Sequence, residues 1–200
     1  MRSRLAAAVL AVAAAVTVGA CSDHGGTAGK PGTCLDGLSA PAAHAGPSSA
    51  AGASGAGPGR LPDLALACFD RSGDVRLDTL GRPAVVSLWA SWCAPCRDEL
   101  PQLESYARSA GDTVAVIGVD TLDDRTHAGS MISDDHLGYP MLFDPDKRLA
   151  DAIGHTVLPV TLFVAPGGVI RHVYFGGTTP IDEATLTRLA AQYLGVRSPG

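Results

Sequence analysis

Residues Val85 to Pro101, VVSLWASWCAPCRDELP, decide the fold of this chain. The apolar run that begins this stretch is rich in β-branched and aromatic side chains, which predicts a buried strand. Cys93-Ala94-Pro95-Cys96 follows the strand, and the charged residues and helical spacing after it predict a helix. The motif therefore opens a helix, and Pro95 fits its first turn because no hydrogen bond is lost through the missing N–H there.

Two cysteines separated by two residues at the start of a helix indicate redox chemistry. The unpaired N–H groups and the positive dipole end of the helix favour a thiolate and lower the pKa of the first cysteine. The spacing lets the second thiol reach back and form a disulfide with the first. We interpret Cys93 as the exposed nucleophile and Cys96 as the less accessible resolving thiol.

The Cys-x-x-Cys motif also occurs in zinc sites and in structural disulfides. Structural zinc needs four ligands, and the sequence has no second Cys-x-x-Cys to supply the other two. A structural bridge over two residues would close so small a loop that its entropic stabilisation is minor. We therefore favour a redox role over these two alternatives and expect neither a metal nor a cofactor.

The composition excludes one class of partner. With 200 residues, 46% of them hydrophobic, the chain is long enough for one domain with a proper core plus appendages. Its formal net charge is -5 and it contains no basic run, so nucleic-acid binding is not expected. The acidic residues of 123–135 fit no calcium-loop pattern, and the histidines show no ligand spacing.

Residues 1–20 predict a lipoprotein signal peptide. Two arginines precede an uncharged apolar segment that is short for a membrane-spanning helix. Val18-Gly19-Ala20-Cys21 resembles the bacterial lipobox, in which the cysteine receives lipid and becomes the new N-terminus; an ordinary signal with a chance cysteine is the alternative. We expect the protein at the extracytoplasmic face of the bacterial cell membrane, lipid-anchored through Cys21.

The stretch 21–60 is rich in Gly, Ala, Ser and Pro and should form a flexible tether, since it cannot bury enough surface to offset its ordering entropy. Without Cys21, four of the five cysteines remain, an even number typical of an oxidising compartment. We favour a disulfide between Cys34, in the tether, and Cys68. An unpaired Cys68 buried in a strand is the alternative.

Residues 61–195 predict one α/β domain, followed by a tail at 196–200. Two short strands around a turn at 71–74 form an N-terminal hairpin, and a strand, a helix and a second strand from 85 to 120 predict a parallel pair with a right-handed crossover. Pro159 begins a later apolar strand and marks a turn or a cis bond. The other predicted elements are helices over 122–137, Lys147 to Ile153 and 181–194, and a hairpin through 166–168.

The motif Trp89-Ala90-Ser91-Trp92-Cys93-Ala94-Pro95-Cys96, followed by Glu99-Leu100-Pro101 and a later Pro-x-Thr, resembles the thioredoxin superfamily. Within it, the similarity is to membrane-anchored TlpA/ResA-like thiol-disulfide oxidoreductases, over roughly Leu61 to Leu194. The resemblance implies a thioredoxin-like fold, a central mixed β-sheet flanked by helices, with a helix-strand insertion at 122–143. It also implies substrate binding: Pro159 in a cis-proline loop facing the two sulfurs, the Leu158 backbone pairing with a substrate chain, and Trp92 beside the motif.

The chain departs from the superfamily pattern at Ser87, where thioredoxin has a buried aspartate, so that proton acceptor is missing. Glu99, three residues after Cys96, stands where ResA-like proteins place a carboxylate near the active site. One helical turn brings it to the face of Cys96, where it would accept the proton of the resolving thiol. The alternative is that Glu99 and Asp98 complement the helix N-terminus from solvent.

The resulting hypothesis is an extracytoplasmic thiol-disulfide oxidoreductase. Ala94-Pro95 supplies no cation to stabilise the thiolate strongly, which favours the reducing direction. The substrate would be apocytochrome c or another disulfide-containing protein, the resemblance implies a transmembrane thiol carrier as electron donor, and the protein is expected to be a monomer. The alternatives are an oxidant of folding secreted proteins, a thiol peroxidase, and a redox-inactive lipoprotein that binds a partner or delivers metal.

Overall fold

The computed structural model describes residues 34–38, 59–177 and 179–196. The predicted signal peptide, the lipidation site Cys21, most of the tether and residues 197–200 lie outside this part of the chain and remain predictions. None of the helices in the described ranges combines the length and the hydropathy needed to cross a membrane.

The described residues contain seven strands and four α-helices. The strands are β1 (Ala65–Cys68), β2 (Asp74–Arg76), β3 (Ala84–Trp89), β4 (Ala115–Thr121), β5 (Met141–Asp144), β6 (Val160–Ala165) and β7 (Val169–Tyr174). The helices are α1 (Ala94–Ala110), α2 (Arg125–Asp134), α3 (Arg148–Ala152) and α4 (Glu183–Leu194), with a 3-10 turn at Leu77–Thr79. Element boundaries therefore lie within a few residues of the predicted ones.

The strands form one mixed sheet in the order β2-β1-β5-β4-β3-β6-β7. β3, β4 and β5 run parallel, whereas β6 is antiparallel to β3 and β7 to β6. β3 lies between β4 and β6, and all six of its residues are buried, as the apolar run predicts. The predicted α/β class with a central mixed sheet flanked by helices is confirmed, as is the parallel pair β3 and β4 joined through α1.

The predicted N-terminal hairpin and the insertion meet at β5. β1 and β2 pair antiparallel, with Ala65 opposite Arg76, and β5 pairs with β1 on one side and with β4 on the other. The insertion helix α2 is shorter than predicted because Asp124 caps it: its carboxylate accepts the N–H groups of Thr126 and His127. The insertion thus joins the hairpin to the central sheet.

Two hydrophobic layers cover the two faces of the sheet. The alternate residues of β3 separate them, with Val86 and Leu88 in one layer and Val85 and Trp89 in the other. The layer with Trp89 contains the buried side of α1 and α4, together with the two cysteines of the motif. The motif is therefore anchored in this layer at the end of β3.

Cys34 and Cys68 are joined by a disulfide, and Cys68 is the last residue of β1. The bond holds residues 34–38 against the domain, where Leu35 and Leu38 are buried in the layer opposite α1. This part of the predicted tether is therefore packed, because two leucines add apolar contacts to the covalent link. The neighbouring residues 39–58 lie outside the described ranges.

We predict that replacing both cysteines, Cys34→Ser with Cys68→Ser, lowers the free energy of unfolding by about 3 to 4 kcal/mol. The disulfide closes a loop with a sequence separation of 34 residues, and in the chain-entropy model a loop of this size contributes roughly that amount. Urea unfolding of the variant and the parent, both with the Cys93–Cys96 pair oxidised, measures the difference. A loss below about 1 kcal/mol would contradict a stabilising role for this bond.

Candidate active site

The cysteine pair lies where β3 ends and α1 begins. Cys93 is the N-cap residue of α1, its N–H donates to the Ala90 carbonyl (3.1 Å), and its sulfur accepts the N–H of Cys96 (3.3 Å). Pro95 occupies the first turn, as predicted. The sulfur of Cys93 therefore receives a backbone N–H at a helix N-terminus, the setting that stabilises a thiolate.

Cys93 and Cys96 are bonded to each other in the structure. Cys93 is 5% exposed and Cys96 is fully buried, so Cys93 is the more accessible of the two. The expectation of an exposed Cys93 was too strong, because the side chain packs in the same hydrophobic layer as Trp89 and Ala90. Only a small part of the Cys93 side chain is therefore accessible from solvent while the pair is oxidised.

The Leu158-Pro159 segment lies at the same end of the sheet. The Leu158–Pro159 peptide bond is cis, which agrees with the prediction of a turn or a cis bond at this proline. Val160, the next residue, pairs with Leu88 of β3. Because β3 and β6 are antiparallel, the start of β6 adjoins the end of β3, from which the chain continues to the cysteines. Leu158 is half-buried and Pro159 is buried.

Exposed apolar side chains also cluster at this end of the sheet. Trp92 is 58% exposed, and its indole N–H donates to the Leu122 carbonyl (2.8 Å) in the loop after β4. The other large apolar side chains that are exposed in the described ranges are Leu122, Val157 and Phe175, which follow β4, precede β6 and follow β7. The strand directions place all four at the end of the sheet where the cysteine pair lies.

Glu99 lies on the buried side of α1, three residues after Cys96, and is only 1% exposed. One carboxylate oxygen accepts the N–H of Ile181 (2.9 Å), and the other has no hydrogen-bond partner among the described residues. Burial raises the pKa of Glu99 to about 7, against the opposing effect of the Ile181 N–H. The alternative in which Glu99 complements the helix from solvent is wrong, because the side chain points into the protein.

Other buried polar groups share this face of the sheet. The hydroxyl groups of Ser87 and Thr161, on adjacent strands in register, have no hydrogen-bond partner in the described part of the chain. Asp120, at the end of β4, is fully buried. Asp120 was not among the predicted site residues, although an aspartate near the end of an apolar strand beside the motif strand was a visible signal.

The described residues contain no group of three or more His, Cys, Asp or Glu side chains that could hold a metal ion. His172 stacks on Tyr193, with ring centroids 4.1 Å apart, and burial lowers its pKa. His155 lies against Phe175. Both histidines thus pack against aromatic rings. The bonded pair of Cys93 and Cys96 is the centre of the candidate site.

A model of the AhpC/TSA family matches residues 59–173, the span from β1 to all but the last residue of β7. The chain belongs to the AhpC/TSA family. The match includes the cysteine pair, Glu99 and the Leu158-Pro159 segment.

Two curated relatives are named thiol:disulfide interchange protein DsbE. The protein from Pseudomonas fluorescens biotype C is 36% identical over 118 residues, which cover 58% of this chain and 63% of that relative. The protein from Allochromatium vinosum is 37% identical over 143 residues, which cover 68% of this chain and 73% of that relative. The matched part of the chain thus spans less than two thirds of the length of the Pseudomonas fluorescens protein.

Among solved structures, MTB dsbF in its mixed oxidized and reduced forms matches with a TM-score of 0.58 and 27% sequence identity. The match covers 66% of this chain and 95% of that chain. The predicted resemblance to thioredoxin-superfamily thiol-disulfide oxidoreductases of the TlpA/ResA type is confirmed.

We predict that Glu99 makes the oxidised protein less stable as the pH rises from about 4.5 to about 7. A carboxyl group whose pKa is raised by folding contributes its full stability below its ordinary pKa of 4.5 and loses it as the pH approaches its folded value. The shift to about 7 corresponds to roughly 3 kcal/mol. Urea unfolding of the protein and of Glu99→Gln across this range should show the difference, and parallel stability curves would contradict it.

Proposed function

We propose that the protein is a thiol-disulfide oxidoreductase in which Cys93 and Cys96 exchange a disulfide with a partner protein. The observation that carries the proposal is the bonded pair at the N-terminus of α1. A disulfide at this position alternates with a dithiol whose first thiolate is stabilised by the helix. The names of the relatives support the same activity.

In the reducing direction, the Cys93 thiolate attacks one sulfur of the substrate disulfide and the other substrate sulfur leaves as a thiolate. The new bond is a mixed disulfide between Cys93 and the substrate. The Cys96 thiolate then attacks the Cys93 sulfur and releases the second substrate thiolate. Two electrons pass from the enzyme to the substrate, and the enzyme ends with the Cys93–Cys96 disulfide.

Glu99 is proposed to accept the proton of Cys96 before the second attack. It lies one helical turn after Cys96 on the buried side of α1, in the same layer. Its pKa of about 7 lets the carboxyl group take up and release a proton near neutral pH. Ser87 stands in the strand position where thioredoxin has its carboxylate, so Glu99 would act in its place.

The substrate chain is proposed to lie along the Leu158-Pro159 segment and against Trp92. Leu158 precedes β6, beside the end of β3, so its backbone is positioned to pair with an extended peptide that brings a cysteine towards Cys93. The exposed indole of Trp92 would then cover an apolar side chain next to that cysteine.

We further propose that the protein reduces its substrate and does so outside the cytoplasm. Ala94 and Pro95 supply no cation, so the Cys93 thiolate has less stabilisation than a strong oxidant needs. We place the domain on the extracytoplasmic face of the membrane, anchored through Cys21, with a transmembrane thiol carrier as electron donor. Its substrate would be apocytochrome c, whose Cys-x-x-Cys-His segment must be reduced before it receives haem.

The test is trapping of the mixed disulfide. Reduced Cys96→Ser should form a stable adduct with a peptide that carries an oxidised Cys-x-x-Cys-His segment, because the second attack is removed. Reduced Cys93→Ser, the matched control, should form none, since Cys96 is fully buried. Mass spectrometry under non-reducing conditions detects the adduct. The Glu99→Gln variant, with both cysteines intact, should release the peptide about 100-fold more slowly than the wild type.

An adduct with Cys93→Ser but none with Cys96→Ser would contradict the assigned roles, and no adduct with either would contradict thiol exchange itself. A second peptide with the same residues in an order that separates the two cysteines tests the substrate. Equal trapping of both peptides would contradict a preference for the apocytochrome segment.

A further inference from the structure

The loop between β4 and α2 holds the segment that precedes Cys93. The Asp123 carboxylate accepts the backbone N–H of Ser91 and, at 3.0 Å, its hydroxyl group. The Leu122 carbonyl accepts the Trp92 indole N–H. We refer to these contacts of Leu122 and Asp123 with Ser91 and Trp92 as the loop clamp. It fixes the two residues that come directly before the nucleophile.

Asp120 lies underneath the loop clamp. It is fully buried near the end of β4, with Trp89 of β3 and Phe143 of β5 as its register partners. Its carboxyl group interacts with the carboxylate of Asp123, yet neither Asp120 oxygen has a hydrogen-bond partner among the described residues. A buried carboxyl group without a donor is costly when ionised, and a proton on it would supply the missing donor towards Asp123.

Two of the three charged groups around Asp120 oppose its ionisation. Asp123 and Asp124 disfavour a second negative charge, whereas Arg125 favours it. Arg125 lies over the rings of Phe69 and Phe143 and donates to the Phe69 carbonyl. Neither register partner of Asp120 carries a charge, and the bonded cysteines do not titrate.

These surroundings place the ionisation of Asp120 within an accessible pH range. Burial, followed by the charge of Asp123, raises the pKa of Asp120 to about 8. Burial and the adjacent Asp123 carboxylate thus both favour the neutral form of Asp120 in the neutral pH range.

We propose that Asp120 is a positioning residue that sets the loop clamp: protonated, it supports the Asp123 carboxylate against Ser91, and ionised, it repels that carboxylate and loosens Trp92 ahead of Cys93. Asp120 acts through Asp123 and touches neither the substrate nor the reacting sulfurs. The loop clamp is then tight in neutral conditions and weak in alkaline ones.

Acrylamide quenching of tryptophan fluorescence in the oxidised full chain tests the proposal without any turnover. Quenching reports on the exposed Trp92, because the other tryptophan, Trp89, is fully buried. In the oxidised protein neither cysteine of the pair titrates, so their ionisation cannot produce the signal. We expect quenching to rise with a midpoint near pH 8 as the loop clamp loosens.

Three variants distinguish Asp120 from the other groups. Asp120→Asn should lose the transition, whereas Glu99→Gln, the matched control at another buried carboxyl group with a raised pKa, should keep it. Asp123→Asn should also lose the transition, because it removes the carboxylate that an ionised Asp120 would repel. Should Asp120→Asn fail to fold, the loss of the transition in Asp123→Asn decides.

A wild type without a transition between pH 6.5 and 9.5, or a transition that survives in Asp120→Asn, would overturn the proposal. A second measurement rests on the proposed function: kcat/KM for disulfide reduction should fall above pH 8 in the wild type and not in Asp120→Asn. Absent reductase activity would contradict the proposed function alone, because quenching of the oxidised protein does not depend on it.

Discussion

The burial of β3 between two strands of opposite direction is the constraint on which the site depends. β3 pairs in parallel with β4 and antiparallel with β6, and none of its residues reaches solvent. Its end must therefore coincide with the end of β4 and the start of β6. The cysteine pair, the loop after β4 and the Leu158-Pro159 segment come together for this reason, although more than 60 residues separate Cys96 from Leu158.

The same layer of the protein holds two buried carboxyl groups in different surroundings. Glu99 receives one backbone N–H and lies one turn from Cys96, whereas Asp120 receives no donor and adjoins a second carboxylate. Burial raises the pKa of each group into the neutral or mildly alkaline range. We propose that Glu99 exchanges a proton with the thiol of Cys96, whereas Asp120 supports the loop before Cys93. The neighbours of each carboxyl group therefore determine which task it can perform.

The features of the fold and site that could be predicted from the sequence are those encoded by residues close together in the chain. The strand, the motif at the helix start and Pro159 are encoded by neighbouring residues, and the structure has each of them in place. The burial of Glu99 depends on Ile181, 82 positions away. The residues of α1 alone do not predict that contact. Helical spacing therefore placed Glu99 on the correct face of α1 but did not predict that its side chain is buried. Asp120 had a local signal, its place near the end of an apolar strand, but its neighbours come from three segments, so its burial beside Asp123 was not predictable locally.

The central claim is that Cys93 and Cys96 form a reducing centre. The most direct test is the reduction potential of this pair in the protein without residues 1–21, in the Cys34→Ser/Cys68→Ser background, by equilibration against glutathione or dithiothreitol. We predict a two-electron transition below about -230 mV, towards the value of about -270 mV that is typical of thioredoxin. A potential above about -180 mV would contradict the reducing direction, and the absence of a two-electron transition would contradict the redox centre itself.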